Sequence, residues 1–141
     1  MLDPVNVFPI YNALKNNDYA FMKYIWDALI YNVQKPNDED YDMYLKESLK
    51  QRNIVDVDFA LTTFNMSNFS NGLNLGDNTI GDVVCPVLSI WGDKDLVVLE
   101  YMIDETVEAL SNVQKVVLKD SAHSPFENKL NELIELITNF I

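Results

Sequence analysis

The stretch that most restricts what this chain can fold into is Val84-Cys85-Pro86-Val87-Leu88-Ser89-Ile90-Trp91-Gly92-Asp93-Lys94-Asp95. Apolar residues run almost unbroken to Trp91, with Pro86 near the start and Gly92 at the end. Such a short apolar run between turn-forming residues predicts a strand buried on both faces of a parallel sheet. Open α/β sheets bind ligands beyond the carboxyl ends of their strands, where loops part and the following helices aim their amino termini into the crevice. Asp93 and Asp95 fall at that edge.

A second strand is predicted over Val113 to Leu118, followed at once by Lys119-Asp120-Ser121-Ala122-His123 with the single histidine of the chain. Between the strands, Val98 to Ser111 carries Leu99, Met102, Ile103, Thr106, Val107 and Leu110 at helical spacing. Strand, crossover helix and strand form a right-handed βαβ unit with adjacent parallel strands about 4.8 Å apart. Both exit loops then share one edge, bringing a carboxylate loop beside a histidine loop. The 28 residues from Asp95 to His123 suit one crossover.

The rest of the chain reads as helical. Asp18 is placed to cap a helix with Phe21, Tyr24, Ile25, Ala28 and Leu29 on one face, ending before Pro36, after an irregular opening. A second helix starts near Asn37 or Asp38, where Asp38, Glu39 and Asp40 suit the positive end of the helix dipole, and runs to about Arg52. A third spans about Asp56 to Met66 with Val57, Ala60, Leu61 and Phe64 on one face. Residues 71–81 belong to a polar loop, and a closing helix over about Asn128 to Phe140 should pack on one face of the sheet. The predicted organisation is a helical region over 1–70, a linker over 71–81 and a βαβα unit over 82–141.

Ten basic against 22 acidic residues give a net charge of −12, which argues against nucleic acid or an anionic membrane as partner. No apolar run approaches the roughly 20 residues of a membrane span. Met1-Leu2-Asp3-Pro4 lacks the basic and apolar segments of a secretory leader. The lone Cys85, at the head of a buried strand, suggests packing and a reducing, cytoplasmic compartment. With one histidine and one cysteine a transition-metal site is not expected. Asp38, Asp40 and Asp42 alternate as in a calcium loop, but the glycine and distal glutamate that such a loop needs are missing.

Pro86-Val87-Leu88, Gly92-Asp93-Lys94-Asp95 and Ala122-His123-Ser124-Pro125, in that order and followed by a helix, resemble the last two strands of the α/β-hydrolases. The first 80 residues more loosely resemble the helical cap of that family. The resemblance implies a partial α/β-hydrolase fold, a helical cap followed by a βαβα unit with parallel strands. It implies serine-type hydrolysis of an ester, thioester or amide without a cofactor, with Asp95 as the acid of a triad, His123 as its base and Asp93 a bystander. Phe21, Trp26 and Phe64, with Tyr24, would then line an apolar substrate pocket; helix-to-helix packing is the plainer role for each.

The nucleophile of the family is a serine in Gly-x-Ser-x-Gly, ahead of the acid and the histidine. None of the four glycines, Gly72, Gly76, Gly81 and Gly92, flanks a serine in that way. Ser121 and Ser124 are too close to His123 in the chain to aim a hydroxyl at the far ring nitrogen. The family sheet has about eight strands in about 250 residues, so two strands in 141 residues imply that the serine half lies outside this chain. Expected partners are an ester-like small molecule and either that missing half or a second copy joined through the open sheet edge. The alternative is a non-catalytic remnant or assembly module that pairs through the same edge.

Overall fold

The structure, a computed structural model, describes residues 7–141; the leader reading of Met1 to Pro4 lies outside them. The class is mixed α/β. Two compact units are present, one of residues through Ile25 with Pro36–Asp77, the other of Trp26–Lys35 with Asn78–Ile141. The division falls inside the second helix.

In the first unit the opening is not irregular as expected but forms α1, Val7–Asn16. Val7, Ile10, Tyr11 and Leu14 have helical spacing, and Pro9 sits in the first turn, where its missing N–H costs nothing. Asn17 ends the helix in a left-handed conformation, φ 52°. Its N–H donates to Leu14 O, and Asp18 N–H to Ala13 O at 2.8 Å, a Schellman closure. The Asp18 carboxylate accepts the Phe21 N–H at 3.0 Å and starts α2, Tyr19–Leu29. Met22 is the buried residue of α2, whereas Tyr24, Ala28 and Leu29 of the predicted apolar face are exposed.

Helix α3, Asp38–Ser48, is capped by the Asn37 side chain, which accepts the Asp40 N–H. It stops short of Arg52 because Lys50 and Gln51 N–H turn back to Glu47 and Ser48 carbonyls, and Arg52 Nη1 takes the Leu49 carbonyl at 2.7 Å. Asp42 accepts the Tyr19 hydroxyl and pairs with Lys46. Lys46 first and Tyr19 second hold the Asp42 carboxyl below its usual range; burial, then Asp42, pushes the Tyr19 phenol up. The core of this unit is Ala13, Leu14, Met22, Tyr41, Leu45 and Leu49.

Helix α4, Ile54–Thr63, lies earlier than predicted because the Asn71 and Asn74 side chains cap the Thr62 and Thr63 carbonyls. It packs beside α1 and has no fully buried residue; Leu61 and Phe64 of its predicted face are exposed.

In the second unit β1, Val87–Gly92, and β2, Val113–Leu118, pair in parallel from Val87↔Val113 to Gly92↔Leu118. Helix α5, Glu100–Ala109, makes the crossover and is joined to β2 by the Lys115–Asp104 ion pair. The Lys115 ammonium also lies 5.7 Å from the Trp91 ring centre, and Trp91 Nε1–H donates to Val98 O at 2.8 Å. Trp91, Gly92, Leu118, Ser121, Ala122 and Leu133 are the buried residues here.

Three expectations change in this unit. The strand Val87–Gly92 is not buried on both faces, since only Trp91 and Gly92 are buried and the rest are half-exposed. Cys85 is exposed rather than packed, because it precedes the strand. The closing helix is split into α6, Pro125–Asn128, and α7, Leu130–Phe140, in which Leu133 is the buried residue. Two strands about 4.8 Å apart are too narrow to cover a helix about 10 Å wide. Among the described residues no helix is long and apolar enough to cross a membrane.

Candidate functional site

The carboxyl ends of β1 and β2 hold the densest set of non-helical hydrogen bonds in the second unit. Gly92 makes the close approach there possible. A Cβ on it would lie 2.4 Å from Ser121 O and 2.6 Å from Ala122 O, so any larger residue would drive the two loops apart. The chain then turns, with Asp95 N–H donating to Gly92 O at 3.0 Å.

The Asp95 side chain is 7% exposed, and its two carboxylate oxygens have separate partners. Oδ1 accepts the Val97 and Val98 N–H groups at 2.8 and 2.9 Å. Oδ2 lies 3.0 Å from Nδ1 of His123, whose side chain is 36% exposed. A carboxylate only accepts, so the ring proton of the neutral imidazole sits on Nδ1 and the lone pair on Nε2. Nε2 has no hydrogen-bond partner among the described residues.

The histidine loop is held from two sides. Asp93 N–H donates to Leu118 O at 3.1 Å and Lys94 N–H to Ser121 O at 2.8 Å. The Asp93 carboxylate accepts the Asp120 N–H at 2.8 Å and faces Lys119 and Lys94. Burial alone would raise the Asp93 carboxyl; the Asp120 N–H and the two lysines outweigh it and hold it below the usual range. On the other side Asn128 Oδ1 accepts the Ala122 N–H at 2.6 Å and stands 3.5 Å from the Ser121 hydroxyl. Asn128 Nδ2 is buried and has no acceptor among the described residues. Asn32, from the Trp26–Lys35 segment, donates to Lys94 O at 3.0 Å.

Asp95 and His123 are thus in contact. Phe21, Trp26 and Phe64, expected to line a substrate pocket, are divided between the two units. Phe21 and Phe64 lie in the first unit, and Phe64 is 71% exposed. Hollows of about 330 and 500 Å³ in that unit have Tyr11, Lys15 and Arg52 in the lining of one and Val55, Phe59 and Leu73 in that of the other; neither of these includes Phe21 or Phe64. Trp26 lies in the second unit against Tyr31, ring centres 5.9 Å apart.

Asn128 and Asn32 escape a reading of the sequence, since neither belongs to a pattern. Asp93 was legible as a residue of the loop, but its partner was not. Among the described residues no group of three or more histidine, cysteine, aspartate or glutamate side chains is placed to hold a metal ion.

No family model matches the chain, and no curated protein matches it. The chemistry open to the site therefore rests on its geometry. A buried carboxylate orients an imidazole and can stabilise its protonated form, while Nε2 remains available to take and return a proton.

Proposed function

We propose that this chain is the acid–base portion of a cytoplasmic α/β-hydrolase-type serine hydrolase, its helical region acting as cap and its βαβα unit as the end of the sheet. The observation that carries this reading is the division of labour at Asp95: Oδ1 saturated by two backbone N–H groups, Oδ2 on His123 Nδ1 at 3.0 Å, and Nε2 without a partner among the described residues. The order Gly92-x-x-Asp95, then Ala122-His123-Ser124-Pro125, supports it further.

In this mechanism a serine outside the chain attacks the carbonyl of an ester, thioester or amide. His123 Nε2 accepts the serine proton as the Oγ–carbon bond forms, and Asp95 stabilises the imidazolium. His123 then protonates the leaving group as its bond to the carbonyl carbon breaks, leaving an acyl-serine. Water attacks that ester with Nε2 again taking the proton, which returns to the serine as the acid departs. Ser121 does not fit the nucleophile's place, since it is buried with its hydroxyl facing Asn128.

The test is hydrolysis of a short-chain chromogenic ester. The chain alone is expected to be inactive. Mixed with a polypeptide that supplies Gly-x-Ser-x-Gly and the rest of a sheet, it should turn over, and His123→Ala should lower kcat by about 10²- to 10⁴-fold. Turnover by the chain alone that His123→Ala abolishes would place the nucleophile inside it and end the proposal.

A second reading, a non-catalytic assembly module, is favoured by the exposed apolar stripe of α7 and the unpaired outer edges of the two-stranded sheet. Its partner is a second copy joined through the sheet edge. Sedimentation separates the two: this reading requires a dimer, and a compact monomer removes it.

A further inference from the structure

Asp93 stands two residues before Asp95, yet its carboxylate acts on the loop that carries His123 rather than on the imidazole. Its Oδ1 accepts the Asp120 N–H at 2.8 Å across 27 residues of sequence. Its Oδ2 lies 3.4 Å from Lys119 Nζ and 3.8 Å from Lys94 Nζ, and the side chain is only 16% exposed. Asp120 is left-handed, φ 52°, a conformation few non-glycine residues hold without local support. The bond from its own N–H to Asp93 supplies that support.

Three residues beyond Asp120 the chain delivers His123, and one residue before His123 the Ala122 N–H is held by Asn128 at 2.6 Å. The loop is therefore gripped at two points, and Asp93 is the grip on the side of the strand that also presents Asp95. Resting on the proton-transfer role proposed above for Asp95 and His123, we propose that Asp93 is a positioning residue that acts through Asp120 to set the contact between His123 Nδ1 and Asp95 Oδ2. Neutralising Lys94 and Lys119 would account for Oδ2 alone. It would leave the bond from Oδ1 to the opposite loop unexplained.

His123 is the only histidine, so its imidazole gives a single assignment in ¹H–¹⁵N spectra. Exchange of its Nδ1–H with solvent should accelerate about tenfold in Asp93→Ala, the size of one hydrogen bond to a charged group. Asp93→Asn, whose amide oxygen still accepts from Asp120, should recover most of the protection. The Trp91 indole N–H, bound to Val98 O, reports that the unit remains folded.

An Asp93→Ala rate equal to wild type, or an Asp93→Asn rate equal to that of Asp93→Ala, overturns the proposal. If Asp93→Ala loses the Trp91 signal, Asp93→Glu decides, because it keeps the charge and displaces the acceptor. Exchange faster by about threefold then supports positioning, and wild-type exchange overturns it. Failure of the underlying pair is seen separately: Asp95→Asn would leave the exchange of His123 Nδ1–H unchanged, whatever the Asp93 variants do.

Discussion

The strand ends and the outer face of α7 belong to the same unit and are built on opposite terms. At the strand ends Asp93, Asp95, Lys94, Ala122 and Asn128 all have hydrogen-bond partners within a few ångströms, and Gly92 admits backbone where a side chain would not fit. Along α7, by contrast, Leu130, Ile134, Ile137 and Phe140 are 37–52% exposed, and only Leu133 is buried. Most polar groups at the strand ends, Asn128 Nδ2 excepted, are satisfied by neighbours in the two loops, in α6 and at Asn32. An apolar helix face needs a wide layer beneath it, and two strands do not make one. The acid–imidazole contact is thus made entirely by the strand-end loops, whereas the apolar stripe of α7 remains exposed.

The largest effect that would break this contrast is at Gly92. Gly92→Ala should cost about 1–3 kcal/mol in urea unfolding, because the added Cβ meets the Ser121 and Ala122 carbonyls. A change near zero would mean that the strand ends are loosely closed. A smaller effect is expected on acidification. The Asp93 carboxyl is held below its usual range in the folded chain, so the unfolded chain takes up the proton first as pH falls. Its contribution is complete above the ordinary carboxylate pKa and is lost as pH falls through the folded value. The difference in urea midpoint between wild type and Asp93→Asn should accordingly shrink from neutral pH to about pH 3, and a constant difference would contradict it. Asp42 shifts in the same direction, which is why the comparison with Asp93→Asn is needed.

The smallest effect sharpens the other half of the contrast. Ile134→Ser on α7 should change the stability of the isolated chain by no more than about 0.5 kcal/mol, since the side chain is already half in water. A loss of several kcal/mol would show that the stripe is covered in solution.

Much of this was legible in the residues. The bounds of β2 follow from its apolar run, and the start of α3 at Asn37 and the cap at Asp18 from side chains whose partners lie three residues on. The common edge of Asp95 and His123 follows from the parallel direction of the two strands, whatever packs around them. Helix α1, where an irregular opening is the expectation, was legible too in the spacing of Val7, Ile10, Tyr11 and Leu14. Burial was not: Tyr24, Leu61, Phe64 and Cys85 are exposed despite apolar patterns around them, because a periodic face says where a residue points and not whether anything lies opposite.

The sequence by itself thus determined the two strands, the crossover between them and the loops on which a carboxylate and an imidazole are carried, since these follow from apolar runs, helical spacing and turn residues met in order along the chain. Only the tertiary structure decided that Oδ2 of Asp95 is the oxygen facing His123, that Asp93 and Asn128 grip the histidine loop, and that Asn32 reaches Lys94. Those contacts join residues that no periodicity relates, and their geometry is set by how closely two backbones approach at Gly92.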